Sequence, residues 1–127
     1  MEYVAIVLVL VLLQYTFFSI MVGKARGTYD VNAPAVTGHE IFERYYRVQQ
    51  NTLELLVVFI PGMFLFASYV HALTAAGLGV VFFIGRMLYY KAYVNDPKSR
   101  GIGFTLTFLS AHVLIIGGMI GAVIKLL

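Results

Sequence analysis

Four runs of about 20 apolar residues, each closed by a short polar stretch, account for most of the chain, and that is the length an α-helix needs to cross a hydrocarbon core of ~30 Å. The first run extends from Tyr3 to Val22, with Glu2 at its mouth and only Gln14, Thr16 and Ser19 as notably polar positions. A polar loop follows from Gly23 to Glu43, broken by Gly27, Asn32, Pro34 and Gly38, and either Thr37 or His39 is placed to cap the next helix. The second helix is expected to start near Glu40, run through Phe59, bend at Pro61 and end around Tyr69, since proline removes a backbone donor and crowds the preceding turn. After a tight turn over Val70–Thr74, a third helix is predicted from Ala75 to Tyr93, stopped by Asn95, Asp96 and Pro97. The fourth runs from Ile102 to Ile124 and carries Gly117, Gly118 and Gly121, a small-residue surface that lets helices approach closely. The expected architecture is an all-α, four-helix transmembrane bundle, with residues 1–127 forming one membrane domain. An acidic start and the lack of a small-residue cleavage site after the first run favour a retained helix over a signal peptide.

Composition agrees: 61% of residues are hydrophobic, 12% are charged, and the mean hydropathy is +0.88. Such values do not suit a soluble domain of 14.1 kDa. Eight of the nine Lys and Arg residues fall in two windows, Lys24 to Arg47 and Arg86 to Arg100. Both windows lie around the first and third connections, so the positive-inside rule places those connections in the cytoplasm and both termini outside. Lys125 alone opposes this bias, and a terminal lysine can snorkel to its own interface. The net charge of +3 is therefore explained by topology and by anionic lipid or substrate groups, and nucleic acid is not an expected partner. With no cysteine in the chain there is neither a disulfide framework nor a cysteine nucleophile, and any thiol chemistry must come with the substrate.

Arg47, Asn51 and Glu54 recur at i, i+4 and i+7, which places them on one helix face among Leu53, Leu55, Leu56, Val57 and Val58. Ionisable groups inside a span are costly unless paired or turned toward a polar cavity, so this face is either a packing ion pair or a site. Arg86, Tyr89 or Tyr90, and Tyr93 make a second stripe on the third helix, readable as an aromatic belt or as a wall of that site. The topology brings both stripes to the same membrane face as Arg100. Arginine offers a planar fork matched to carboxylate, and glutamate can hold an ammonium group, so the set suits a small zwitterion with more than one carboxylate. A cation where the fourth helix begins would also stabilise an anion, of which a thiolate is one candidate. His39, His71 and His112 show no metal-ligand spacing, and His112 is read as a hydrogen-bonded core residue. Asp96 either ends the third helix or pairs with Arg100.

The segment Phe42-Glu43-Arg44-Tyr45-Tyr46-Arg47-Val48-Gln49-Gln50-Asn51-Thr52-Leu53-Glu54 resembles the helix-two signature of the MAPEG family, the membrane-associated proteins in eicosanoid and glutathione metabolism. The likeness continues through Arg86-Met87-Leu88-Tyr89-Tyr90-Lys91-Ala92-Tyr93 to Arg100-Gly101. It implies a homotrimer that binds glutathione between neighbouring subunits near the cytoplasmic face, with Arg26, Arg47, Gln49, Asn51, Glu54, Tyr89 and Tyr93 as glutathione contacts. Arg100 then matches the arginine that stabilises the thiolate. A lipophilic electrophile or lipid hydroperoxide would arrive from the membrane lipids, and no metal is called for. Leu55 after Glu54, and Gly27 after Arg26, depart from leukotriene-forming members, which have tyrosine and a second arginine there. The resemblance leans toward the microsomal glutathione transferase type 3 branch and its bacterial relatives, implying transferase and glutathione peroxidase activity. It also implies an integral, multi-pass protein of the bacterial inner membrane, or of the endoplasmic reticulum in a eukaryote. Two other functions fit parts of the pattern. One is a catalytically silent lipid-presenting scaffold of the same family, which Arg100 and the intact helix-two signature disfavour. The other is a small multidrug exporter, which would need a carboxylate within helix one.

Overall fold

Each apolar run forms one long helix in the computed structural model, which describes all 127 residues: α1 Glu2–Tyr29, α2 Glu40–Tyr69, α3 Ala72–Asn95 and α4 Gly101–Leu126, with a single 3-10 turn at Pro97–Ser99. All four are long and apolar enough to cross a membrane. The helices are longer than their apolar runs, because their end turns find packing and capping partners within the chain. α1 continues past Val22 through Gly23 and Gly27, since Val22 and Ala25 pack on Val31 and Phe42. That burial offsets the roughly 1 kcal/mol that each glycine costs a helix. The helix stops where Asp30 takes a left-handed conformation (φ 57°) and the Val31 amide donates to the Arg26 carbonyl. α3 starts at Ala72 rather than Ala75 because His71 caps it, Nδ1 accepting from the Thr74 amide at 3.2 Å. His39 does the same for α2, accepting from the Ile41 amide at 3.1 Å. α2 stays helical through Pro61.

α2 and α3 form the middle of the bundle, with α1 against both on one side and α4 against both on the other. Between helices in lipid there is little hydrophobic drive, so close van der Waals contact and polar bonds must hold them. Glycines supply the first. A Cβ on Gly118 would lie 2.7 Å from the Leu65 Cβ, and one on Gly62 would lie 3.0 Å from the Ile115 amide, so α2 and α4 touch nearly backbone to backbone. A Cβ on Gly103 would collide with the Tyr89 backbone, and this seats the start of α4 on α3 beside the polar end of the bundle. The apolar core lies between these seams, with Phe59 stacked on Phe82 at 4.1 Å and Val4, Val11, Met63 and Leu114 fully enclosed.

A buried arginine supplies the polar bond. Arg86 of α3 is wholly inaccessible. It donates from Nη1 to the Asn51 Oδ1 at 2.8 Å and the Thr52 Oγ1 at 3.0 Å on α2, and from Nη2 to the Thr107 Oγ1 at 3.0 Å on α4. Its guanidinium also lies 4.2 Å from the centre of the Tyr89 ring. One side chain thereby fixes the register of three helices.

Gly118→Leu is expected to destabilise the fold by about 1–3 kcal/mol, the usual cost of overpacking, because α2 must move away from α4. Gly77→Ala, at a position with open space around the added methyl, should leave stability unchanged or slightly raised. Thermal denaturation in detergent, scored by loss of monodisperse protein, compares the two.

Candidate functional site at the loop end of the bundle

The three polar features of the sequence meet where the α1–α2 loop and the α3–α4 connection share one end. A cavity of about 440 Å³ opens there, lined by Arg47 and Asn51 from α2, Tyr89 and Tyr93 from α3, and Arg100 and Phe104 from the start of α4. Five of the eight residues singled out from the sequence are thus brought together. The helical spacing explains how, since Arg47 and Asn51 are one turn apart on α2 and Tyr89 and Tyr93 one turn apart on α3. The two tyrosine rings stack at 5.4 Å and 21°, making a flat wall with Phe104 close by at 6.4 Å from the Tyr89 ring.

Glu54 reaches the same group through its partner, its carboxylate forming an ion pair with the Arg47 Nη2 at 3.2 Å. Both side chains are about half exposed, so the pair is a solvated clasp of little stabilising worth. Arg100 is exposed and donates from Nη1 to the Pro97 carbonyl at 2.9 Å, which leaves its Nη2 and Nε donors free of intramolecular bonds. Asp96 is not its counterion: Asp96 caps the 3-10 turn, its Oδ1 accepting from the Lys98 amide at 3.1 Å. Of the two roles open to Asp96 in the sequence, the geometry supports helix termination. Arg44 stitches this end together, bonding the carbonyls of Val94 and Asn95 at the end of α3 and the Glu40 carboxylate.

Arg26 and Gln49 stand apart from the cavity in the single chain. Gln49 is two residues from Asn51, so it faces the opposite side of α2, where its Nε2 donates to the Ser19 Oγ of α1 at 2.9 Å. Arg26 donates from Nη1 to the Ala35 carbonyl at 2.7 Å and lies over the Phe42 ring, tying the α1–α2 loop to α2.

Arg86 does not line the cavity as the stripe on α3 suggested. It lies behind Asn51 and Tyr89. Tyr90, the alternative member of that stripe, turns to α1 and packs on Phe17 and Phe18. Phe104, Thr52 and Thr107 were missed in the sequence. The hydroxyls of the two threonines already serve their own helices, bonding the carbonyls of Val48 and of Gly103 and Phe104, a common habit that hides their second role toward Arg86. His112 is half-buried rather than core, and shares a hydrogen with the Phe108 carbonyl of its own helix at 2.8 Å.

Chemically, the cavity offers two guanidinium forks, a carboxylate held at the rim by one of them, an amide and two phenols. Arginine forks suit carboxylates. The cation at Arg100 stands where the first amides of α4 also point, a region that favours negative charge.

Comparison with known proteins places the chain in context. The MAPEG family model matches residues 4–120. An uncharacterized protein of Synechocystis sp. is 44% identical over 116 residues, covering 91% of this chain and 85% of that protein. Microsomal glutathione S-transferase 2 of Homo sapiens is 39% identical over 108 residues, 85% of this chain and 74% of that protein. Leukotriene C4 synthase of Bos taurus is 34% identical over 90 residues, 71% of this chain and 59% of that protein.

Asn51→Leu should strand one donor of the buried Arg86 and destabilise the protein by about 1–3 kcal/mol. Gln49→Leu, on the far side of the same helix, should cost under about 1 kcal/mol, since only a partly exposed bond is lost. Denaturation of both variants in the same micelles tests the asymmetry.

Proposed function

The chain belongs to the MAPEG family, and on that premise we propose that it is a membrane-embedded glutathione transferase that holds the glutathione thiol as a thiolate for attack on lipophilic electrophiles. The observation that carries this reading is the convergence of Arg47, Asn51, Tyr89, Tyr93 and Arg100 on one cavity at the loop end of a bundle of membrane-spanning helices. The family and the four apolar helices make the chain an integral, multi-pass membrane protein. We place the site toward the cytoplasm, where the positive-inside rule puts the basic connections.

Each residue then has a task. Arg47 offers its fork to a glutathione carboxylate, and Glu54, beside it, takes the ammonium group. Asn51, Tyr89 and Tyr93 supply neutral hydrogen bonds and a flat wall for the peptide. Arg100 faces the sulfur, favouring the anion as the proton leaves to water. An opposite charge at about 4–6 Å lowers a pKa by roughly 1–3 units, and a drop of about 2 units or more makes a thiol that ionises near 8.5 largely thiolate at neutral pH. The sulfur lone pair forms a carbon–sulfur bond with the electrophile, and the displaced group leaves with the electron pair of the broken bond. With a lipid hydroperoxide, the thiolate attacks the terminal oxygen, the O–O bond breaks, and the alkoxide that leaves takes a proton from water to become an alcohol. A second glutathione then converts the sulfenic acid to disulfide and water.

The oligomer in this reading is a homotrimer with shared sites, and the positions of Arg26 and Gln49 away from the cavity support the sharing. If they also hold glutathione, they meet it away from the cavity of their own chain, which requires a neighbouring copy. Glutathione and a substrate dissolved in membrane lipid are the partners in this reading.

Glutathione added to the detergent-solubilised protein near neutral pH should produce a saturable ultraviolet thiolate signal, absent in Arg100→Ala although glutathione still binds. Binding without a thiolate in the wild type points instead to a lipid-presenting scaffold. Mixed oligomers of Arg100→Ala and Gln49→Ala chains should recover conjugating activity that neither variant has alone, because some interfaces then carry both native residues. No recovery removes the shared-site arrangement.

A further inference from the structure

Arg86 lies in the spanning part of α3, about 13 Å along the helix from Asn95, and is fully enclosed. Its partners are neutral oxygens of Asn51, Thr52 and Thr107 and the face of Tyr89. The ion pairs of the chain join the amino terminus to Glu2, Arg44 to Glu40 and Arg47 to Glu54, so no carboxylate stands within ion-pair distance of Arg86. Its Nε is buried without a partner. A packing clamp alone does not need this charge, since a neutral amide can bridge hydroxyls, whereas an uncompensated cation in a low-dielectric interior is costly. Its charge is therefore available to an anion in the neighbouring cavity.

Two of the groups it touches, Asn51 and Tyr89, are also walls of the cavity. The cavity and its wall hold three cations, Arg47, Arg86 and Arg100, and one carboxylate, Glu54, which leaves two positive charges uncompensated. Glutathione has two carboxylates and one ammonium group. It therefore bears one net negative charge as the thiol and two as the thiolate. Arg86 thus adds one positive charge to the side of the balance that favours the thiolate over the thiol.

We propose that Arg86 is a positioning residue that acts through Asn51 and Tyr89 as a fixed cation behind the cavity wall, setting the preference of the site for a ligand with negative charge on sulfur. This rests on the glutathione reading above and deepens it: Arg100 would supply the local contact, and Arg86 the background potential. The low dielectric around a buried guanidinium extends its reach, because water does not screen it as it screens the half-exposed Arg47.

The test compares two glutathione derivatives by calorimetry on the intact detergent-solubilised oligomer: glutathione sulfonate, with a permanent negative charge at sulfur, and S-methylglutathione, with none. The wild type should bind the sulfonate more tightly. In Arg86→Gln, which keeps an amide to bridge the hydroxyls, the ratio of the two affinities should fall by about tenfold. In Arg86→Lys, which keeps the charge, it should stay near the wild-type value. Thr107→Asp keeps Arg86 in place and gives its Nη2 a carboxylate, so it should reduce the ratio as Arg86→Gln does, and it decides the matter if the glutamine variant does not fold. A merely structural role would weaken both derivatives by the same factor in every variant, and that result, or an unchanged ratio in Thr107→Asp, overturns the proposal. Failure of the wild type to bind either derivative overturns the glutathione reading, and this inference with it.

Discussion

The bundle depends on one guanidinium having enough neutral oxygens around it. Lipid offers no hydrophobic penalty for helices that drift apart, so register among α2, α3 and α4 has to come from contacts that only one arrangement satisfies. Arg86 provides that condition. Its two terminal nitrogens reach side chains on both neighbouring helices, and sliding any of the three by a turn would leave a buried charge without donors' partners. Such a displaced state is expensive where no water can substitute. The glycine seams allow the helices to come close, but they are permissive. The arginine cluster is selective.

The same constraint orders the cavity. Asn51 faces the opening with its carbonyl oxygen already committed to Arg86, and Tyr89 is held flat by the cation beneath it. At the other edge, Gly103 lets α4 start against the backbone of Tyr89, which is why Phe104 and Arg100 can close the cavity from that side. Recognition surface and helix packing are thus two sides of the same residues, and a change in the packing layer is felt as a change in the polar layer above it.

Much of this was legible in the sequence, because a membrane enforces length and polarity rules strictly. Four apolar runs gave four helices, and the spacing of Arg47, Asn51, Tyr89 and Tyr93 gave the face they share. Hydropathy marks only the apolar part of a helix, whereas α1 and α3 extend on capping and local packing at Val22, Ala25 and His71. The stripe on α3 suggests Arg86 as part of the wall, but the side chain lies behind it. Its spacing from Tyr89 and Tyr93 is compatible with either, and only the threonines on two other helices decide it. Residues such as Thr52 and Thr107 carry no periodic signal of their own. Arg26 and Gln49 rested on family likeness rather than on spacing, and the single chain holds them away from the cavity, consistent with a role that needs a second copy.

The short joint between α3 and α4 has a thermodynamic consequence. Arg100 is exposed, yet one of its terminal nitrogens is already bonded to the Pro97 carbonyl three residues back, within a 3-10 turn closed by Asp96 and Ser99. A free arginine side chain gives up about 2 kcal/mol of rotamer freedom when it is immobilised. Here much of that ordering accompanies folding rather than ligand capture, so an anion arriving at the joint meets a preorganised fork, and the entropic part of its binding is correspondingly less unfavourable.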